Sequence, residues 1–136
     1  MASENVKSVY RAYDAYQRGD LEAFVAAHDP ECEILPRIVR VEGGMPYRGH
    51  DGVRAYWRDM AEAFEDWQPV AAEVRDHGDI LIVRIRQSGH GRSGVAFVDE
   101  EFWQAIKMRN GLTVWWSTYS TEAEALEAVG LGERAQ

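Results

Sequence analysis

Ile80-Leu81-Ile82-Val83-Arg84-Ile85-Arg86 and the runs on either side of Asn110-Gly111, as far as Tyr119, decide how this chain folds. In its second half the first run alternates apolar with charged residues, the period of two that marks a half-buried strand. Asn110-Gly111 supplies the positive φ angles of a type I′ hairpin between two further strand-like runs. Ile80 to Tyr119 therefore predicts long antiparallel strands joined by tight connections. Such a sheet has a face to cover, and the flanking sequence is expected to supply helices for it.

Working outward, Glu4 to Arg18 predicts a helix with Val6, Val9, Tyr10, Tyr13 and Gln17 on one face and Tyr16 at its edge. Gly19 suits its C-terminal cap and Asp20 the N-cap of a short helix, Leu21 to His28, that Asp29-Pro30 stops. Cys32 to Leu35 reads as a brief strand, held to an edge or a strand end by Pro36. A loop through Gly43-Gly44 and Pro46 leads to a third helix, capped near Asp51 and running to about Phe64. Val70 to Arg75 alternates as a strand before the turn Asp76-His77-Gly78-Asp79. Thr121-Glu122-Ala123-Glu124 is a capping box opening a last helix that Gly130 ends, with residues 132–136 expected as a flexible tail. Helices on one side of a twisted antiparallel sheet make an α+β domain spanning residues 1–136.

Composition narrows the partners. A chain of 136 residues with 46% hydrophobic and 28% charged residues is expected to form one globular domain. Its net charge of −8 disfavours nucleic acid and anionic membrane surfaces, which need basic patches. Cys32 is the one cysteine, so no internal disulfide forms, and its apolar-alternating run makes it a core residue. No basic, apolar leader or bilayer-length run is present, so a soluble, cytoplasmic protein is expected.

Gly19-Asp20-Leu21-Glu22-Ala23-Phe24, then Tyr47-Arg48-Gly49-His50-Asp51-Gly52-Val53-Arg54-Ala55-Tyr56-Trp57, then Arg109-Asn110-Gly111 and the ending Glu124 to Leu131 resemble the SnoaL-like branch of the nuclear-transport-factor-2-like superfamily. The resemblance implies a curved antiparallel sheet wrapped around N-terminal helices, a cone-shaped barrel with an internal pocket. It also implies, often, a homodimer through the outer face of the sheet. Members include polyketide cyclases, ketosteroid isomerases, hydrolases, dehydratases and pure binding modules, so the fold alone names no reaction.

Alternation assigns the inner face of the cone. Phe102, Gln104, Ile106 and Met108 point in, and Trp103, Ala105, Lys107 and Arg109 out. On the last strand Val114, Trp116 and Thr118 point in and Trp115 out. Trp103 and Trp115 side by side on the outer face predict an exposed apolar patch, and so an interface. Arg84 and Arg86 point out, solvated or paired with acids across a dimer, while Val83 and Ile85 point in.

The resemblance to ketosteroid isomerases implies a carboxylate base near the end of the first strand, a tyrosine from the first helix and an acid on the long strand. By register these fall at Leu35, Tyr13 and Gln104. Leu35 and Gln104 cannot move or donate a proton in those roles, so that mechanism is not expected here. Glu33, two residues before Leu35, is the remaining catalytic candidate; its other reading is a solvated strand-end glutamate. A ligand pocket is expected from Tyr13, Leu35, Trp57, Phe102, Gln104, Trp116 and Thr118.

His28, His50, His77 and His90 lack metal-ligand spacing, and structural or solvated roles are expected for them, with His90 near a pocket rim as the other possibility; no metal and no cofactor are expected. Gly89-His90-Gly91-Arg92-Ser93-Gly94 spells G-x-G-x-x-G, but a strand rather than a helix follows, so the glycines are expected to serve a bulged connection and Ser93 to be a loop residue.

The resemblance implies either an acid–base enzyme of isomerase, cyclase or hydrolase/dehydratase type acting on an apolar molecule, or a non-catalytic ligand-binding or dimeric assembly module. Converging carboxylates, or a carboxylate with a histidine, would favour the enzyme. A cone with only Gln104 and Tyr13 as polar groups would favour binding.

Overall fold

A computed structural model describes residues 3–37, 39, 43–91 and 96–132, and the side chains of 96–99 are not among those described. Arg92, Ser93 and Gly94 of the glycine-rich stretch, and tail residues 133–136, lie outside the described residues.

The elements run α1 (Glu4–Arg18), α2 (Leu21–Ala26), β1 (His28–Leu35), β2 (Tyr47–Arg48), α3 (Gly49–Ala63), β3 (Gln68–Asp76), β4 (Ile80–His90), β5 (Ala96–Arg109), β6 (Leu112–Tyr119) and α4 (Glu122–Ala128). Local chemistry sets most of these limits. Ser3 accepts from the Val6 amide at the start of α1, and Gly19, at φ 75°, ends that helix in the left-handed conformation that glycine adopts without strain. The Asp20 carboxylate caps α2 by accepting from the Ala23 amide, and Thr121 and Glu124 form the expected capping box of α4. Asn110 (φ 54°) and Gly111 (φ 77°) make the turn between β5 and β6.

One six-stranded sheet, ordered β2-β1-β6-β5-β4-β3, curves without closing. Its pairings are antiparallel except β1 with β6, which run parallel. The fold is therefore α+β as expected, with one parallel seam where an antiparallel sheet was foreseen. β1 begins at His28 rather than Cys32, and α2 stops at Ala26 rather than His28. Pro30 lies inside β1, where the ladder to β6 jumps from His28 to Glu33, so no ladder hydrogen bond is lost at the proline. The third helix starts at Gly49, with no side-chain cap, and Asp51 falls within its first turn.

Two apolar clusters sit on opposite faces of the sheet. The inner cluster joins Val6 and Val9 of α1, Phe24 and Val25 of α2 and Val53 and Tyr56 of α3 to Leu81, Val83, Ile85, Ile106 and Trp116 of the sheet. The outer cluster joins Ile82, Ala105 and Tyr119 to Ala125 of α4, with Trp103, Trp115, Leu126 and Val129 packed against it. Helices thus cover both faces, not one. The patch expected from Trp103 and Trp115 is not fully exposed: both rings are half-buried, packed against the cluster that includes Ala125 of α4. Arg75 stands 5.5 Å from the Trp103 ring centre and Lys107 4.9 Å from that of Trp115.

A second difference concerns β6. Lys107 pairs with Trp115 but Met108 pairs with Thr113, so Val114 is an extra residue in the ladder. The bulge reverses the alternation on its N-terminal side, turning Thr113 inward in place of the expected Val114. Arg84 is paired within its own chain, 3.4 Å from Glu73 and 2.7 Å from Glu101, rather than across a dimer. No helix among the described residues is long and apolar enough to cross a membrane.

Candidate functional site

The inner face of the sheet and the helices over it enclose about 550 Å³ including a solvent-open mouth, with a narrow interior of about 50 Å³. α1 contributes Val9, Ala12, Tyr13 and Tyr16, α2 Phe24, and α3 Tyr56. The sheet contributes Phe102, Gln104 and Ile106 from β5 and Thr113, Trp116 and Thr118 from β6. His28, Trp67 and Pro69 complete the wall.

Of the residues that the sequence singles out, Tyr13, Phe102, Gln104, Trp116 and Thr118 meet in this cavity. Trp57 stands behind the wall, its ring centre 4.7 Å from Tyr16 and 5.4 Å from Phe24. Leu35 and Glu33 are turned the other way. Cys32 and Ile34 are fully buried in the inner cluster, so strand alternation sends their odd-numbered neighbours to the outer face. Glu33 lies opposite Arg48 and accepts a hydrogen bond from its Nε at 3.0 Å on the exposed surface. The catalytic expectation for Glu33 was tied to an inward register, and the apolar pair Cys32 and Ile34 takes that side. His90 lies away from the wall, its backbone and Nδ1 both on the Asp66 carboxylate.

The polar groups that do line the cavity are neutral. The Tyr13 hydroxyl donates to Gln104 Oε1 at 2.8 Å. Burial pushes the Tyr13, Tyr16 and Tyr56 phenols well above the ordinary tyrosine range, so they serve as neutral donors and acceptors. Thr118 Oγ1 accepts from the Arg37 amide at 2.7 Å.

His28 is the group that sequence spacing missed. Its ring is buried, with Nδ1 2.9 Å from the Phe24 carbonyl oxygen and Nε2 3.4 Å from the indole nitrogen of Trp116. Burial, set against the Phe24 hydrogen bond and with His50 adding repulsion, brings its pKa down to about 4. Its signal was its spacing, four residues after Phe24 and three after Val25, which continues an apolar helical face although His28 itself opens β1. Among the described residues, no three histidine, cysteine or acidic side chains group closely enough to hold a metal ion.

With this geometry in place, the comparisons assign a family. The model of the SnoaL-like domain matches residues 9–116. The chain belongs to the SnoaL-like family. Solved structures of the same fold include a nuclear-transport-factor-2-like protein of unknown function from Burkholderia pseudomallei K96243, with TM-score 0.78, 23% identity and coverage of 93% of this chain and 97% of that one. TerC, co-crystallized with polyporic acid, superposes with TM-score 0.77 at 17% identity, over 94% of this chain and 99% of TerC. A protein of ketosteroid-isomerase-like fold from Catenulispora acidiphila DSM 44928, in complex with trimethylamine, gives TM-score 0.72 at 13% identity, over 91% and 92%. No curated protein matches. At these identities the structures establish the fold, and this SnoaL-like chain's chemistry has to be argued from its own wall.

Proposed function

We propose that this SnoaL-like domain binds a small, flat, largely apolar ring compound carrying a neutral polar group. The observation that carries the reading is the lining: aromatic rings surround the Tyr13–Gln104 hydrogen bond, and no carboxylate, lysine or arginine is among the described residues of the wall. Rings stack on rings, whereas an ionised ligand desolvated here without a counter-charge would cost several kcal/mol. The narrow interior favours a flat molecule that parts the rings as it enters. TerC with polyporic acid and the Catenulispora protein with trimethylamine support small-molecule binding by this fold.

An acid–base enzyme of isomerase, cyclase or hydrolase/dehydratase type is the second reading, and neutral His28 in the wall is what favours it. With Glu33 on Arg48, His28 rather than a carboxylate would take the proton. The same proposal treats residues 1–136 as one domain, without metal or cofactor, acting in the cytoplasm. It includes a homodimer through the outer sheet face.

The test is a titration with 4-methylacetophenone followed by tryptophan fluorescence, since Trp67 and Trp116 line the cavity. A saturable change is expected, and it is expected to vanish in Ala12→Phe, which fills the cavity from α1 while leaving the circular dichroism spectrum unchanged. No saturable change, or equal binding by that variant, would overturn the proposal.

A further inference from the structure

We propose that His28 is the hydrogen-bond acceptor of this cavity, and that the ligand presents a phenolic or enolic hydroxyl to its Nε2 with the ring laid along Trp116. This rests on the cavity being a ligand site and adds the donor that the ligand must carry.

The tautomer follows from geometry. A carbonyl oxygen only accepts, so the Nδ1 that lies 2.9 Å from the Phe24 carbonyl carries the ring proton. In the neutral ring Nε2 is then an acceptor, and burial keeps the ring neutral. The ring is also fixed in place. The main-chain carbonyl of His28 accepts from His50 Nε2 at 2.7 Å, and Phe24 packs edge-on against the imidazole with centres 5.0 Å apart. Only 3% of the residue is exposed, and it lines the cavity.

What Nε2 holds at present is weak. The Trp116 indole N–H reaches it at 3.4 Å, long beside the ~2.9–3.0 Å of an ordinary N–H bond. A ligand hydroxyl placed between the two rings can donate to Nε2 and accept from the Trp116 indole N–H, so neither buried group is left unpaired. The neighbouring polar groups are more firmly engaged, Tyr13 with Gln104 at 2.8 Å and Thr118 with the Arg37 amide at 2.7 Å.

Register gives the far end of the ligand. Trp116 pairs with Ile106 and Thr118 with Gln104, so the His28 end and the Gln104 end are separated by two residues along the sheet. That step is about 7 Å. With Oε1 of Gln104 accepting from Tyr13, its amide N–H groups remain the donors at that end, suited to a carbonyl across the ring from the hydroxyl.

The experiment compares 4-hydroxyacetophenone with 4-methylacetophenone, which has nearly the same shape and no donor, by isothermal titration calorimetry. The native protein is expected to prefer the hydroxyl probe by about fivefold, the worth of one ordinary hydrogen bond. His28→Asn keeps a donor for the Phe24 carbonyl but has no acceptor at the Nε2 position, so the ratio of the two probes' affinities, read within the variant, is expected to fall to about one. His28→Gln is expected to recover part of it. On the native protein, histidine ¹⁵N resonances read the site without any variant: the His28 Nε2 signal is expected to shift with the hydroxyl probe and to stay still with the methyl probe. If both probes bind the native protein alike with no Nε2 shift, the assignment of His28 falls and the pocket stands. If neither probe binds, both readings fall.

Discussion

Because the buried His28 ring has a pKa near 4 in the folded protein, its proton is absent where the unfolded chain would hold one. An exposed histidine takes up its proton near pH 6.5. As pH falls from about 6.5 to about 4, the unfolded state therefore gains a proton that the folded state refuses, and stability drops. The shift corresponds to roughly 3 kcal/mol, fully available above pH 6.5 and lost by pH 4. His50 is the titratable group acting on this ring, and burial is the larger cause. Urea unfolding across this range is expected to show the loss in the native protein and a shallower one in His28→Asn; parallel curves would contradict it. Tyr13, Gln104, Trp116 and Thr118 were legible beforehand because strand and helix periodicity states which side chains face inward. Glu33 and Leu35 were placed on the wrong face because a four-residue strand offers two registers. Cys32 and Ile34, both fully buried, settle which one holds.

At the scale of elements, caps and turns are written in single residues, and they hold: Ser3, Asp20, the Thr121–Glu124 box and Asn110-Gly111 all do what their chemistry asks. Departures occur where tertiary pairing overrides a local signal. Pro30 would ordinarily limit a strand, yet β1 continues through it because that part of the ladder is open. Val114 should point inward by alternation, yet it is the extra residue opposite Met108, and a bulge has no spacing signature. The capping box of α4 matters beyond its own helix, since Ala125 of α4 belongs to the cluster against which Trp103 and Trp115 pack. Thr121→Ala is expected to cost about 1 kcal/mol in chemical denaturation, with a red-shifted tryptophan emission as the outer rings meet water. An unchanged midpoint would mean that the helix is held by its apolar contacts alone.

Across the whole molecule, the sheet has two differently used faces: the inner one walls a neutral aromatic cavity, and the outer one carries its own small core under α4. A homodimer through that outer face would meet Trp103 and Trp115 half-buried rather than bare. Light scattering at micromolar concentration is expected to give the mass of two chains; one chain throughout would count against the dimer. The sequence by itself determined the α+β class, the order of helices and strands, and the inward residues of β5, because caps, turns and periodicity are local properties of neighbouring residues. Only the tertiary structure decided that α4 closes the outer face, that β1 runs parallel to β6 with Glu33 outside, and that His28 is carried into the wall. Each of those depends on which surfaces bury one another in space, and a meeting such as that of His28 with Trp116, 88 residues on, leaves no mark in local spacing.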